Sequence, residues 1–285
     1  MTNDPMVSTE WLQDQLDNPD VVIVDATWYM PGQPGDARAE HAERHIPGAV
    51  YFDIDEVSDH ASALPHTLPD PADFAVHARR LGVEPGSTVV VYDGQGLFSA
   101  PRVWWMFRAM GHPSVAVLDG GLPKWMAEAR PLEAGWPLRA HGEFKSHFDA
   151  GLLRDLEQVR AALADGREQL VDARSAARFR GEEPEPRPGV RRGHMPGAHN
   201  LPWRQMLAAN GRLAERDALR GAFTDAGVDL ERPIVTTCGS GVSAAILALG
   251  LARLGHWRAP VYDGSWAEWG SRADTPAITS ATVHG

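Results

Sequence analysis

The chain is written twice. In its first half the stretches "VVIVDAT", "HIPGAVYFD", "TVVVYDG", "RAMGH" and "VAVLDGGLPKW" follow one another; in its second half "QLVDARS", "HMPGAHNLP", "IVTTCGS", "ARLGH" and "PVYDGSWAEW" follow in the same order. Asp25 meets its counterpart at Asp172, Gly48 at Gly197, His112 at His256 and Asp119 at Asp263, each 144 to 149 positions later. A nearly constant offset over landmarks in fixed order marks a tandem duplication, so the chain must build one supersecondary unit two times. Its 285 residues suit two domains of ordinary size.

Within each copy, short β-branched runs alternate with helical stretches, the pattern of an α/β fold. "TVVVYD" and "PIVTTC" are apolar runs bounded by turn signals and read as buried parallel strands. "SAPRVWWMFRAMGH" and "VSAAILALGLARLGH" read as helices, with arginine in the last turns and a glycine, Gly111 or Gly255, at the end. Each copy should form a small parallel sheet flanked by helices. The aperiodic stretch from about Arg130 to Leu153, with its Pro and Gly, reads as a connection. Domains are expected over 1–135 and 154–285, with a linker over 136–153.

The only cysteine, Cys238, stands in "RPIVTTCGSGVSAAILALGLARLGH", between a strand and a helix expected to begin about four residues later. That is the carboxyl end of a parallel strand, where open α/β sheets place their ligands. Gly239 and Gly241 let the loop curl so that backbone N–H groups converge, and the helix dipole adds to the same spot. Such a nest holds an anion, here a thiolate. A free cysteine that merely fills space needs neither glycine loop nor helix start. In the first copy the equivalent position is Asp93, so only one copy carries a nucleophile.

These features resemble the rhodanese sulfurtransferases: two tandem units, "HIPGA" and "GHMPGA", one active cysteine in the second copy, and "DGSWAEWG" near the end. The likeness runs from about Ser8 to Pro276. More narrowly, "CGSGVSA" and "RFRGEEPEPRPGVRRGHMPGAHN" are similar to the 3-mercaptopyruvate sulfurtransferases, whose loop is usually C-G-S-G-V-T-A; here Ser243 replaces the threonine and keeps the hydroxyl. The resemblance implies tandem rhodanese-like domains and transfer of sulfur from 3-mercaptopyruvate, through a persulfide on Cys238, to a thiol or cyanide with release of pyruvate. It implies a substrate clamp at Arg178 and Arg187, planar bidentate donors suited to a keto-acid carboxylate. Gly239, Gly241, Val242 and Ser243 would frame the donor. Ser240, His66 and Asp55 match the family's proton-handling serine, histidine and aspartate. A thiol acceptor such as thioredoxin or glutathione is expected, and no cofactor.

Other readings stay open. Thiosulfate-using rhodaneses typically carry basic residues after the cysteine, where this chain has Gly239 and Ser240. A phosphatase or arsenate reductase would want a longer loop with a closing arginine, whereas Ala244 stands there. A sulfur-carrier or sensor module would have no use for the arginine pair. Twelve histidines lack ligand spacing, so no metal is expected. A net charge of −11 argues against nucleic acid. No apolar run approaches the ~18 residues of a membrane span, no secretory signal is visible, and one cysteine suits a reducing cytoplasm.

Overall fold

A computed structural model describes residues 4–279. The chain forms two compact units. Residues up to Asp59, Leu68–Asp149 and Ala209–Leu213 make the first; His60–Thr67, Ala150–Ala208 and the residues from Ala214 onward make the second.

In the first unit, strands β1 (Met6–Val7), β2 (Val21–Asp25), β3 (Val50–Tyr51), β4 (Thr88–Tyr92) and β5 (Val115–Leu118) form a sheet in the order β1-β5-β4-β2-β3. In the second, β6 (Leu153–Arg154), β7 (Gln169–Asp172), β8 (His199–Asn200), β9 (Ile234–Thr237) and β10 (Val261–Tyr262) repeat that order as β6-β10-β9-β7-β8. Every pairing in both sheets is parallel. The register repeats as well: Asp25 lies opposite Tyr51 and Asp172 opposite Asn200. The duplication seen in the sequence is therefore a duplication of topology.

The strands are apolar because helices cover both faces of such sheets. All five residues of β2 and all four of β9 are buried. The helix Ala100–Ala109 sinks Trp104, Trp105 and Phe107 completely, and Ala244–Arg253 is buried over nearly its whole length. In the second unit Trp266 and Trp269 pack with Leu170, Val235 and Tyr262. Each such large side chain contributes about 1.5–3 kcal/mol by leaving water. Their indole N–H groups are satisfied inside the unit, Trp266 Nε1 by the carbonyl of Arg191 at 2.8 Å and Trp269 Nε1 by that of Pro276 at 2.7 Å. These two tryptophans, like Trp104 and Trp105, are core residues.

The stretch after Arg130 has no regular element up to Asp149, yet it is a strap on the first unit. Glu133 forms a two-way backbone bridge with His45, and the N–H groups of Gly142, Phe144, His147 and Asp149 donate to the carbonyls of Arg79, Val83, Met110 and Ala109. Phe144 is buried against Phe74 and Phe107, at ring separations of 5.8 and 6.2 Å. Among the described residues no helix is long and apolar enough to cross a membrane.

Candidate active site

Cys238 follows directly on β9, at the carboxyl end of its sheet, and is buried. Its backbone is tied to the turn after β10. The Cys238 N–H donates to Ser265 Oγ at 3.2 Å, and the N–H groups of Trp266 and Ala267 donate to the carbonyls of Cys238 and Gly239, both at 2.9 Å. Ser265 Oγ in turn donates to the carbonyl of Tyr262 at 2.8 Å. Ser265 holds φ +50°, a left-handed conformation uncommon for a residue with a side chain. In the first copy the same place is Gly121, with φ +54°. That substitution of serine for glycine between the copies is the signal from which Ser265 could have been found.

The loop turns at Gly241, whose φ of +82° suits glycine. Gly239 has no such φ, and its smallness serves close approach instead. A Cβ there would lie 3.0 Å from Arg178 Nη2 and 3.9 Å from Arg178 Nη1. Ser240 and Val242 are buried, and Ser243 is half-buried. The helix begins at Ala244, six positions after the cysteine rather than about four, with Ser243 at its N-cap making no side-chain capping bond.

The first copy displays what such a loop does. Asp93, fully buried at the end of β4, accepts the N–H groups of Phe98 and Ala100 on Oδ2 at 2.7 and 2.9 Å, and that of Gln95 on Oδ1 at 2.9 Å. Burial lifts its carboxyl above the ordinary range, opposed by those backbone bonds. Here the loop's donors converge on a carboxylate supplied by the chain itself.

Arg178 reaches the cysteine loop from the helix Ala176–Arg180, which follows β7. Glu185 holds it: Arg178 Nη2 donates to Glu185 Oε2, and Nε lies 3.4 Å from Oε1. Glu185 Oε1 also takes Arg174 Nη1 at 2.7 Å. Arg174 is buried over the Trp266 ring, 4.5 Å from its centroid, and donates Nη2 to Asp172 Oδ2 at 2.7 Å and to the Gly193 carbonyl at 2.9 Å. Burial works against the Arg174 charge, but Asp172 and Glu185 outweigh it and hold the guanidinium above its ordinary range. Arg187 is half-buried on the following loop.

His66 is a buried member of the second unit, at φ +57°. Asp55 belongs to the first unit, where it is exposed and accepts the Trp28 Nε1–H at 2.8 Å. Neither Glu185 nor Ser265 is among the residues expected from sequence.

The rhodanese-like domain model matches residues 8–128 and again 155–272. Human 3-mercaptopyruvate sulfurtransferase is 46% identical over 281 residues, covering 96% of this chain and 95% of its own. The thiosulfate sulfurtransferase of Cricetulus griseus is 42% identical, covering 93% and 91%. The crystal structure of SseA from Escherichia coli, presented as a 3-mercaptopyruvate sulfotransferase with the rhodanese fold, superposes with a TM-score of 0.85 at 42% identity, covering 92% of this chain and 99% of that one. With two matches of its domain model and relatives at this identity over nearly full length, the chain belongs to the rhodanese family.

Proposed function

We propose that this sulfurtransferase takes its sulfur from 3-mercaptopyruvate, with Cys238 as its nucleophile. The observation that carries this reading is the guanidinium of Arg178 lying against Gly239 of the cysteine loop. A planar fork beside a nucleophile suits a donor with a carboxylate near its transferable sulfur. The loop itself carries no charged side chain from Gly239 to Ser243.

In this mechanism the Cys238 thiolate attacks the thiol sulfur of 3-mercaptopyruvate. The S–S bond forms, the C–S bond breaks, and its electron pair passes to the carbon fragment as an enolate. A proton, the one the donor thiol carried, completes pyruvate, and the persulfide remains on Cys238. Arg178 and Arg187 hold the carboxylate, with Gly239, Gly241, Val242 and Ser243 framing the donor. Ser240, oriented by His66, polarises the carbonyl and relays the proton. The persulfide's outer sulfur then passes to a thiol acceptor of a reducing cytoplasm, such as thioredoxin or glutathione. The first copy, up to about residue 135, takes no part in bond making because Asp93 stands where the thiol would be.

Intact mass after brief exposure to 3-mercaptopyruvate tests this, with pyruvate assayed alongside. A gain of one sulfur matched by pyruvate, and absent in Cys238→Ser, is expected. Sulfur gained from thiosulfate but not from mercaptopyruvate would move the protein to the other donor, which the Cricetulus griseus relative's name makes the natural rival.

A further inference from the structure

Glu185 has no part in the steps above, yet its side chain is only 3% exposed and sits between two arginines. Asp172, Arg174, Glu185 and Arg178 form an unbroken chain of alternating charge, each member paired with the next. The two positive and two negative charges cancel. Arg178 is the end of the chain and its most exposed member, with a side chain 22% exposed. It is also the member that touches the cysteine loop.

A guanidinium offers five N–H groups in a fixed plane. Glu185 occupies the edge of Arg178 formed by Nε and Nη2. The remaining edge, Nη1 with the outer hydrogen of Nη2, keeps two parallel donors, and both nitrogens lie within 3.9 Å of where a Gly239 side chain would begin. Glu185 therefore decides which edge faces the loop. It also balances the charge behind that edge. A carboxylate gains from paired, directional donors even when the net charge is small. A tetrahedral dianion such as thiosulfate can take the same fork through two of its oxygens, but its second negative charge makes it depend more on net positive charge.

We propose that Glu185 is a specificity-determining residue: it aims the Arg178 fork at the cysteine loop and cancels its charge, so that the site favours a planar monocarboxylate donor over an inorganic dianion. The proposal rests on the mercaptopyruvate reading and extends it to the choice between donors.

Glu185→Gln keeps an oxygen to accept from Arg178 and removes the charge. Arg174 keeps Asp172 and Gly193, so the variant has reason to fold. The ratio of kcat/KM for thiosulfate to that for 3-mercaptopyruvate should rise about tenfold, the effect of one unbalanced unit charge on a donor's extra negative charge in a partly solvated site. The thiosulfate KM of the variant should also become more sensitive to salt. Glu185→Asp, which keeps the charge and shortens the reach, should raise the KM for both donors and leave the donor ratio within about twofold. An unchanged ratio in Glu185→Gln, or an equal shift in Glu185→Asp, overturns the charge argument. A measurement on the unaltered protein guards against misfolding of the variants: pyruvate should inhibit persulfide formation at lower concentration than sulfate, and the reverse order overturns the proposal. If the unaltered protein prefers thiosulfate, the mercaptopyruvate reading fails whatever the variants do. If it prefers mercaptopyruvate and the ratio stays fixed, only the role of Glu185 fails.

Discussion

Asp93 Oδ2 accepts the backbone N–H of Ala100 at 2.9 Å, drawing the first residue of a helix onto a carboxylate at the end of β4. In the second copy the same strand end carries Cys238, and the helix begins at Ala244. One loop design thus serves two ends: in the first copy it is closed by its own anion, and in the second the position is left to a thiol. The first loop is also one residue longer between strand and helix, and its Phe98 N–H joins that of Ala100 on the same oxygen.

Asp93→Ala should destabilise the protein by roughly 2–5 kcal/mol, because the N–H groups of Gln95, Phe98 and Ala100 lose their acceptor in a buried place. The sign of the pH effect follows from the raised native pKa. Between the ordinary carboxylate value and that raised value the native state holds the proton better than the unfolded chain. The stabilisation is therefore fully present below the ordinary value and is lost as the pH rises through the native one. Urea midpoints at pH 4.5 and 7.5 should show the gap between the parent and Asp93→Ala narrowing at the higher pH.

Gly239→Ala and Gly241→Ala should fail differently. At Gly239 the added methyl meets the far end of the Arg178 side chain, so thermal stability should hardly change while the KM for mercaptopyruvate rises several-fold. At Gly241 the backbone holds φ +82°, and a side chain there costs about 1–2 kcal/mol of stability. Melting curves and steady-state kinetics on the two variants would separate the effects, and matching losses of stability would count against the distinction.

Arg187→Ala should weaken mercaptopyruvate use by roughly 10- to 100-fold in kcat/KM, the worth of one charge-assisted hydrogen bond. Thiosulfate use should fall much less. Persulfide formation with both donors, followed by mass, checks the split, and an equal loss would argue against a carboxylate clamp at this residue.

The repeat was legible because identical landmarks at a constant offset leave few folds to choose from, and the buried strands announced themselves as unbroken apolar runs. Arg178 was singled out through its motif, and the structure sets its guanidinium against Gly239. Glu185 was not: "GEEPEPR" offers three glutamates of the same chemistry, and nothing local distinguishes it from Glu182, which pairs with Arg180 at the surface, or from exposed Glu183. What singles it out is Arg174, eleven residues earlier, and only folding brings that pair together. The docking of the segment after Arg130 on the first unit was hidden for a related reason. Its attachments are mostly backbone hydrogen bonds and one buried phenylalanine, and neither leaves a period in the sequence.

The gap at Gly239 has a consequence for how such a protein can change over time. Rhodaneses that use thiosulfate typically bear basic side chains just after the cysteine. Here the first of those positions has its outward space taken by Arg178. A side chain at 239 would press on the end of Arg178, so a basic residue gained there would also disturb the fork on which a carboxylate donor depends. One substitution at this position would thus bear on both donors at once, helping one and hindering the other.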